Sequence, residues 1–235
     1  MIKASDILYE DNHLIIVNKH PSELVQGDKT GDEPLSEKIK KYIKQKYNKP
    51  GEVFLGVAHR IDRPTSGAVI FARTGKALER INEMFRNKEI KKTYWAVVKN
   101  KPAKMQDTLL HYIIKDEAKN KSKAYINEIK GSQKAIMEYR LASSSDRYHL
   151  LEIQLHTGRH HQIRTQLSAI GCSIKGDLKY GSERSNKDGS IHLHARGISF
   201  IHPVKKELVT ITAPVPEDTL WKAFEAEMKN NSVKS

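Results

Sequence analysis

Two short stretches concentrate the side chains of this chain that are capable of chemistry. Residues 59 to 67 read HRIDRPTSG, which sets Asp62 between Arg60 and Arg63, with His59 before them and Pro64 and Gly67 after. Neighbouring guanidiniums keep an aspartate ionised at neutral pH, and a lone ionised carboxylate suits a nucleophile or a base. Metal ligation would need a second acid at ligand spacing, and a glycosidase would need a partner carboxylate; neither is evident. A structural ion pair in a turn is the plain alternative. Residues 156 to 164 read HTGRHHQIR. The histidines suggest zinc, but His160 and His161 are expected on different sides of a helix, and no cysteine pair joins them. Helix N-terminal amides with Arg159 and Arg164 fit an anion better, either a phosphate or Asp62 itself. A third candidate is Tyr94, preceded by Lys91 and Lys92. A core tyrosine with a bonded hydroxyl is the ordinary role, and the basic prelude favours stacking on a base.

These side chains need elements to position them. HRIDRPTSG lies between the apolar runs VFLGVA and AVIFA, so it reads as a strand-flanked loop. Pro64 restricts its own φ and biases Arg63 towards extended backbone. The stretch ILYEDNHLIIVNK predicts two strands around an Asp-Asn turn, and HPSELVQGDKTGDEP a loop. Ser36 is expected to cap a helix over 37 to 48, its outer face carrying Lys38, Lys40, Lys41, Lys44 and Lys46. Thr74 is expected to cap a helix to about 87, with Ala77, Leu78, Ile81, Met84 and Phe85 as its buried stripe. KKTYWAVV reads as a strand and residues 99 to 133 as short strand pieces. KAIMEYRLA and YHLLEIQLH form a hairpin. Thr157 is the expected cap of a helix closed by Gly171, followed by a loop, a strand pair containing His192, His194 and His202 as packing or strand-surface histidines rather than ligands, and a helix from about 217. Residues 229 to 235 read as a frayed tail. No linker divides the chain, so the expectation is one mainly antiparallel α+β domain over residues 1 to 228.

Composition narrows the function class. The 235 residues carry 41 Lys and Arg against 28 Asp and Glu, a net charge of +13. That excess favours a polyanionic partner, nucleic acid before an acidic membrane surface. No run approaches the roughly 18 apolar residues of a membrane span. The N-terminus lacks the apolar core of a secretory signal. One cysteine, Cys172, excludes an intrachain disulfide and fits a reducing, cytoplasmic setting.

HRIDRPTSG, KKTYWAVV and HTGRHHQIR, in this order, resemble the RluA family of RNA pseudouridine synthases. LYEDNHLIIVNK is similar to that family's opening strand pair and LHARGISFIHP to its closing strand, so the likeness runs from about residue 7 to 216. It implies the α+β pseudouridine synthase core, with a long mixed, mainly antiparallel sheet, an active-site cleft, and no S4-type domain ahead of it. It implies Asp62 as the nucleophilic aspartate, Tyr94 as the tyrosine that packs on the target base, and Arg164 as the basic residue paired with the aspartate. Arg60 would enter the RNA stack beside the flipped nucleotide. His59, Lys91, Lys92, Arg159 and His161 are the expected RNA contacts. The chain departs from the family in NKHPSE, where NKPxG is usual, and in Gln166, where a histidine is frequent; neither touches the catalytic set.

The expected activity is isomerisation of specific uridines in ribosomal or transfer RNA by a monomer, with base flipping. No cofactor or metal is required, since the reaction has no net redox or energy input. A non-catalytic RNA-binding or RNA-chaperone protein on the same scaffold is the alternative, and a metal-dependent nuclease a remoter one.

Overall fold

The apolar run after Asp62 becomes a strand because its β-branched and aromatic side chains can be buried on both faces of a sheet, whereas of VFLGVA before it only Gly56 and Val57 pair as strand. The computed structural model describes residues 2–232. Two compact units make up the chain, Met1–Lys92 with Ala195–Pro214 and Thr93–His194 with Val215–Ser235.

In the first unit, β1 (Ile7–Glu10) turns into β2 (Leu14–Lys19), and the Asp11 carboxylate accepts from the His13 and Leu14 amides at 2.8 Å each. β2 pairs antiparallel with β4 (Ser66–Ala72), every residue of which is buried. The short β3 (Gly56–Val57) pairs with the far end of β4. The strand order is β1-β2-β4-β10, where β10 (Leu193–Ile201) also pairs with β11 (Leu208–Thr212). Ala77, Ile81 and Met84 of α2 (Gly75–Arg86) pack with Leu14, Ile16, Ala68, Ile70, Ile198 and Phe200 in one core cluster. The Thr74 hydroxyl accepts from the Ala77 amide at 3.2 Å, the expected cap.

The helix α1 (Leu35–Lys46) begins earlier than expected, and Ser36 does not cap it. Pro34 holds the cap position, and the first amides donate to the 24–25 segment, Leu35 to the Leu24 carbonyl at 2.7 Å and Ser36 to the Val25 carbonyl at 3.2 Å. Distant backbone thus replaces the local side-chain cap.

The second unit is an antiparallel sheet ordered β5 (Lys91–Val98), β9 (His149–Leu155), β8 (Gln133–Ser144), β6 (Gln106–Asp116) and β7 (Lys121–Tyr125). Trp95 and Val97 of β5 share a cluster with Trp221 and Phe224 of α4 (Thr219–Ser232). By strand alternation Tyr94 faces the other way. The helix α4 runs on through 229–232, four residues expected in the tail; 233–235 lie outside the described residues.

The helix α3 (Gln162–Ala169) also differs from expectation. Thr157 is not its cap; the cap residue is His161, in the left-handed region at φ 53°. The Thr157 hydroxyl instead donates to Gln162 Oε1 at 2.8 Å and accepts from the Ile136 amide at 2.8 Å, which ties the loop to β8. His160 and His161 therefore precede the helix, and their rings stack at 3.7 Å rather than diverging. Gly171 closes the helix as expected, at φ 75°.

Candidate active site

Asp62 sits half-buried in a tight turn, with the Thr65 amide donating to its carbonyl at 3.0 Å. Gly67 ends the turn at φ 114°, and a Cβ there would lie 2.4 Å from the Ala195 carbonyl oxygen, so the position requires glycine. Beside it in the ladder is Lys19, paired with Gly67 and fully buried. Its ammonium donates to the carbonyls of His20 at 2.9 Å, Glu23 at 2.9 Å and Arg63 at 3.0 Å, one for each N–H. Burial pushes the Lys19 pKa down to about 7, while the charges of Glu23 and Asp62 oppose that shift. Lys19 therefore grips the Asp62 turn through the Arg63 carbonyl and lends it positive potential. Sequence reasoning passed over this residue; the available signal was a lysine ending a strand that opens with four apolar residues, where a charge must find acceptors.

Around Asp62 the expected RNA contacts divide. Arg60 is exposed and meets no hydrogen-bond or ion-pair partner among the described residues. Lys91 is exposed, whereas burial pushes the Lys92 pKa down and its ammonium lies 5.4 Å from the Phe85 ring centre. The Nε2 of His59 accepts from the Ile70 amide at 3.0 Å, so its proton is on Nδ1. Burial, with the Lys92 charge adding to it, pushes the His59 pKa down to about 3. His59 thereby continues onto β4 the pairing that β3 leaves at Val57. Arg63 serves the loop's structure, donating to the Ser22 carbonyl at 3.1 Å and pairing with Asp32 at 2.7 Å.

The second unit holds Tyr94 and Arg164. Tyr94 is 7% exposed and registers with Ile153 of β9. Arg164, buried on α3, binds Asp177 through two hydrogen bonds, Nε to Oδ2 at 2.6 Å and Nη2 to Oδ1 at 2.9 Å. Its guanidinium also lies on the Tyr180 ring, 4.9 Å from the centre. The Tyr180 hydroxyl accepts from the Ser122 amide at 2.7 Å and is hydrogen-bonded to His161 Nδ1 at 2.8 Å. Arg164, His161, Asp177 and Tyr180 thus form one cluster, in which a planar ion pair fixes the guanidinium's orientation. Arg159 lies outside it, with its Nε on the Lys134 carbonyl at 3.0 Å. Asp177 and Tyr180 were also missed from sequence. They lie in GDLKYG, where an acid and an aromatic between two glycines were the only local signal. His192, His194 and His202 are all buried. Among the described residues no three His, Cys, Asp or Glu side chains are grouped to hold a metal ion, and no helix is long and apolar enough to cross a membrane.

Comparison with known proteins places this geometry in context. The family model described as RNA pseudouridylate synthase matches residues 13–169. A Synechocystis protein named as an uncharacterized RNA pseudouridine synthase is 33% identical over 90% of this chain and 65% of its own length. The ribosomal large subunit pseudouridine synthase D of Zymomonas mobilis is 30% identical over 91% of this chain and 70% of its own length. The tRNA pseudouridine synthase C of Vibrio cholerae is 30% identical over 94% of this chain and 95% of its own. The structure of human RNA pseudouridylate synthase domain containing 4 superposes with a TM-score of 0.77 at 23% identity, covering 96% of this chain and 93% of that one, which shows the fold.

Proposed function

The chain belongs to the RNA pseudouridylate synthase family, and we propose that it isomerises specific uridines to pseudouridine in ribosomal or transfer RNA, with Asp62 as the nucleophile. The observation that carries this reading is the Asp62 turn, a half-buried carboxylate on a backbone that Gly67, Lys19 and His59 hold in place. A turn braced at three points pre-positions its side chain for chemistry.

The reaction breaks the bond from ribose C1′ to N1, turns the base, and joins C1′ to C5. The proton on C5 leaves and N1 gains one, so the overall change is an isomerisation. Attack on the sugar, attack on the base, and removal of a sugar proton all require an ionised carboxylate beside an extruded nucleotide. Extrusion from the stack costs a few kcal/mol. Arg60, exposed next to the turn, is assigned to fill the vacated place. Tyr94 is assigned to pack on the base, and Arg164 to act with Asp62 as its basic partner. His59, Lys91, Lys92, Arg159 and His161 are assigned to RNA contact, and of these Lys91 is the exposed one. A monomer acting in the cytoplasm completes the reading, and the +13 charge supplies salt-dependent attraction to the RNA backbone.

Tritium release from RNA labelled at uridine C5 tests the assignment. Asp62→Asn and Asp62→Ala should release none while binding RNA within about threefold of the parent, the affinity being mainly backbone electrostatics. Near-normal turnover by Asp62→Ala would sink the mechanism. RNA that is bound but never modified would favour an RNA-binding or chaperone role.

A further inference from the structure

A cleft of about 560 Å³ opens in the second unit between β7, α3 and the turn at Tyr180. Lys119, Lys121 and Lys123 line it, with Thr165 and Ser168 of α3 and the ring of Tyr180. The acid among its lining residues is Asp116, 4.0 Å from the Lys119 ammonium. Lys121 and Lys123 are exposed and lie beside aromatic rings, with Asp116 directly across the ladder from Lys121. Lys121 is 5.3 Å from the centre of Tyr180, and Lys123 is 5.1 Å from that of Tyr125. Thr165 is 4% exposed, and its hydroxyl has no hydrogen-bond partner among the described residues. A buried hydroxyl without a partner is costly to folding.

We propose that this cleft binds a phosphate group. Resting on the RNA reading above, the phosphate is assigned to the RNA backbone. Three ammonium groups sharing a single carboxylate, Asp116, are the donors a phosphate needs, and the volume suits a nucleotide-sized group. Tyr180 links the cleft to the catalytic cluster, since one ring meets both the Lys121 ammonium and the Arg164 guanidinium. A backbone contact there would set the register of the RNA without reading its bases.

The test titrates the full chain in separate arms with inorganic phosphate, with uridine monophosphate, and with total cellular RNA over a range of salt. The Lys121→Ala/Lys123→Ala double variant should bind RNA about tenfold more weakly. Its log affinity against log salt should be shallower by about 1 to 2, and tritium release should show a raised KM with kcat within about twofold. Unchanged RNA affinity and salt slope in the folded double variant would overturn the proposal. So would tight binding of uridine monophosphate that RNA fails to displace, which would make the cleft a free-nucleotide site. Phosphate and RNA bound through the cleft by a chain that modifies no RNA would leave the cleft standing and overturn the isomerase reading instead.

Discussion

Lys19 and Arg164 are both buried cations beside residues assigned to catalysis, yet they are held in opposite ways. Lys19 meets three neutral carbonyls, and burial pushes its pKa down to about 7. Arg164 meets a full counter-charge, Asp177, in a two-point pair, with an aromatic ring on its face. The chemistry of the side chains explains the choice. A compact ammonium with three N–H groups can stitch separate backbone segments together, here His20, Glu23 and Arg63. A planar guanidinium must be oriented, which one carboxylate does best. Lys19 is therefore a brace for backbone, and Asp177 a brace for a side chain.

Four outcomes break or sharpen that contrast. The largest effect is expected from Asp177→Asn, which leaves a buried guanidinium without its carboxylate. Chemical denaturation should show about 3 kcal/mol lost, and tritium release should fall with it. Lys19→Met leaves three carbonyls without donors and should cost about 2 kcal/mol. Its kcat should fall further than that of a surface change of equal stability cost, since the Asp62 turn loosens; equal kcat would remove Lys19 from the catalytic support. Next comes acid. His59 accepts from the Ile70 amide only when neutral, and its folded pKa of about 3 lies below its ordinary value near 6.5. Its contribution is full above pH 6.5 and declines as pH falls towards 3, so denaturation midpoints should drop on acidification through that window. A His59→Asn variant should show a flatter pH dependence there. The smallest effect concerns the lysines of α1. Lys38, Lys40, Lys41 and Lys46 pair with Glu23, Glu37, Glu33 and Glu10. Lys40→Ala/Lys41→Ala should leave the denaturation midpoint essentially unchanged and RNA affinity within about twofold, in contrast to Lys121 and Lys123.

That last contrast shows how far composition can be read. The +13 charge points to a polyanion, and the lysine-rich face of α1 is its most conspicuous display, yet Lys38, Lys40, Lys41 and Lys46 of that face pair with acids, some of them far off in the sequence. Glu10 lies 36 positions before Lys46. Lys121 and Lys123, in a segment read only as strand pieces, have rings for neighbours instead.

Local signals otherwise carried a good deal. Thr74 caps α2, Gly171 closes α3, and KKTYWAVV is β5 residue for residue, because a cap, a stop and a strand each depend on a few adjacent residues. Asp62 was conspicuous for the same reason: one carboxylate among arginines, proline and glycine is an unusual local arrangement. Ser36 and Thr157 were misplaced as caps because competing partners, the Leu24 and Val25 carbonyls and the Ile136 amide, come from elsewhere in the chain.

The residues proposed for the chemistry were legible in the sequence alone, since HRIDRPTSG and HTGRHHQIR each carry their ionisable groups within one short stretch, as were most of the strands and helices around them. Tertiary structure alone decided what holds those groups. It set Lys19 on the Arg63 carbonyl, His59 on the Ile70 amide, and Asp177 and Tyr180 on Arg164. A buried charge is stable only with partners that the fold brings to within about 3 Å, and no spacing along the chain specifies which distant atom that partner is.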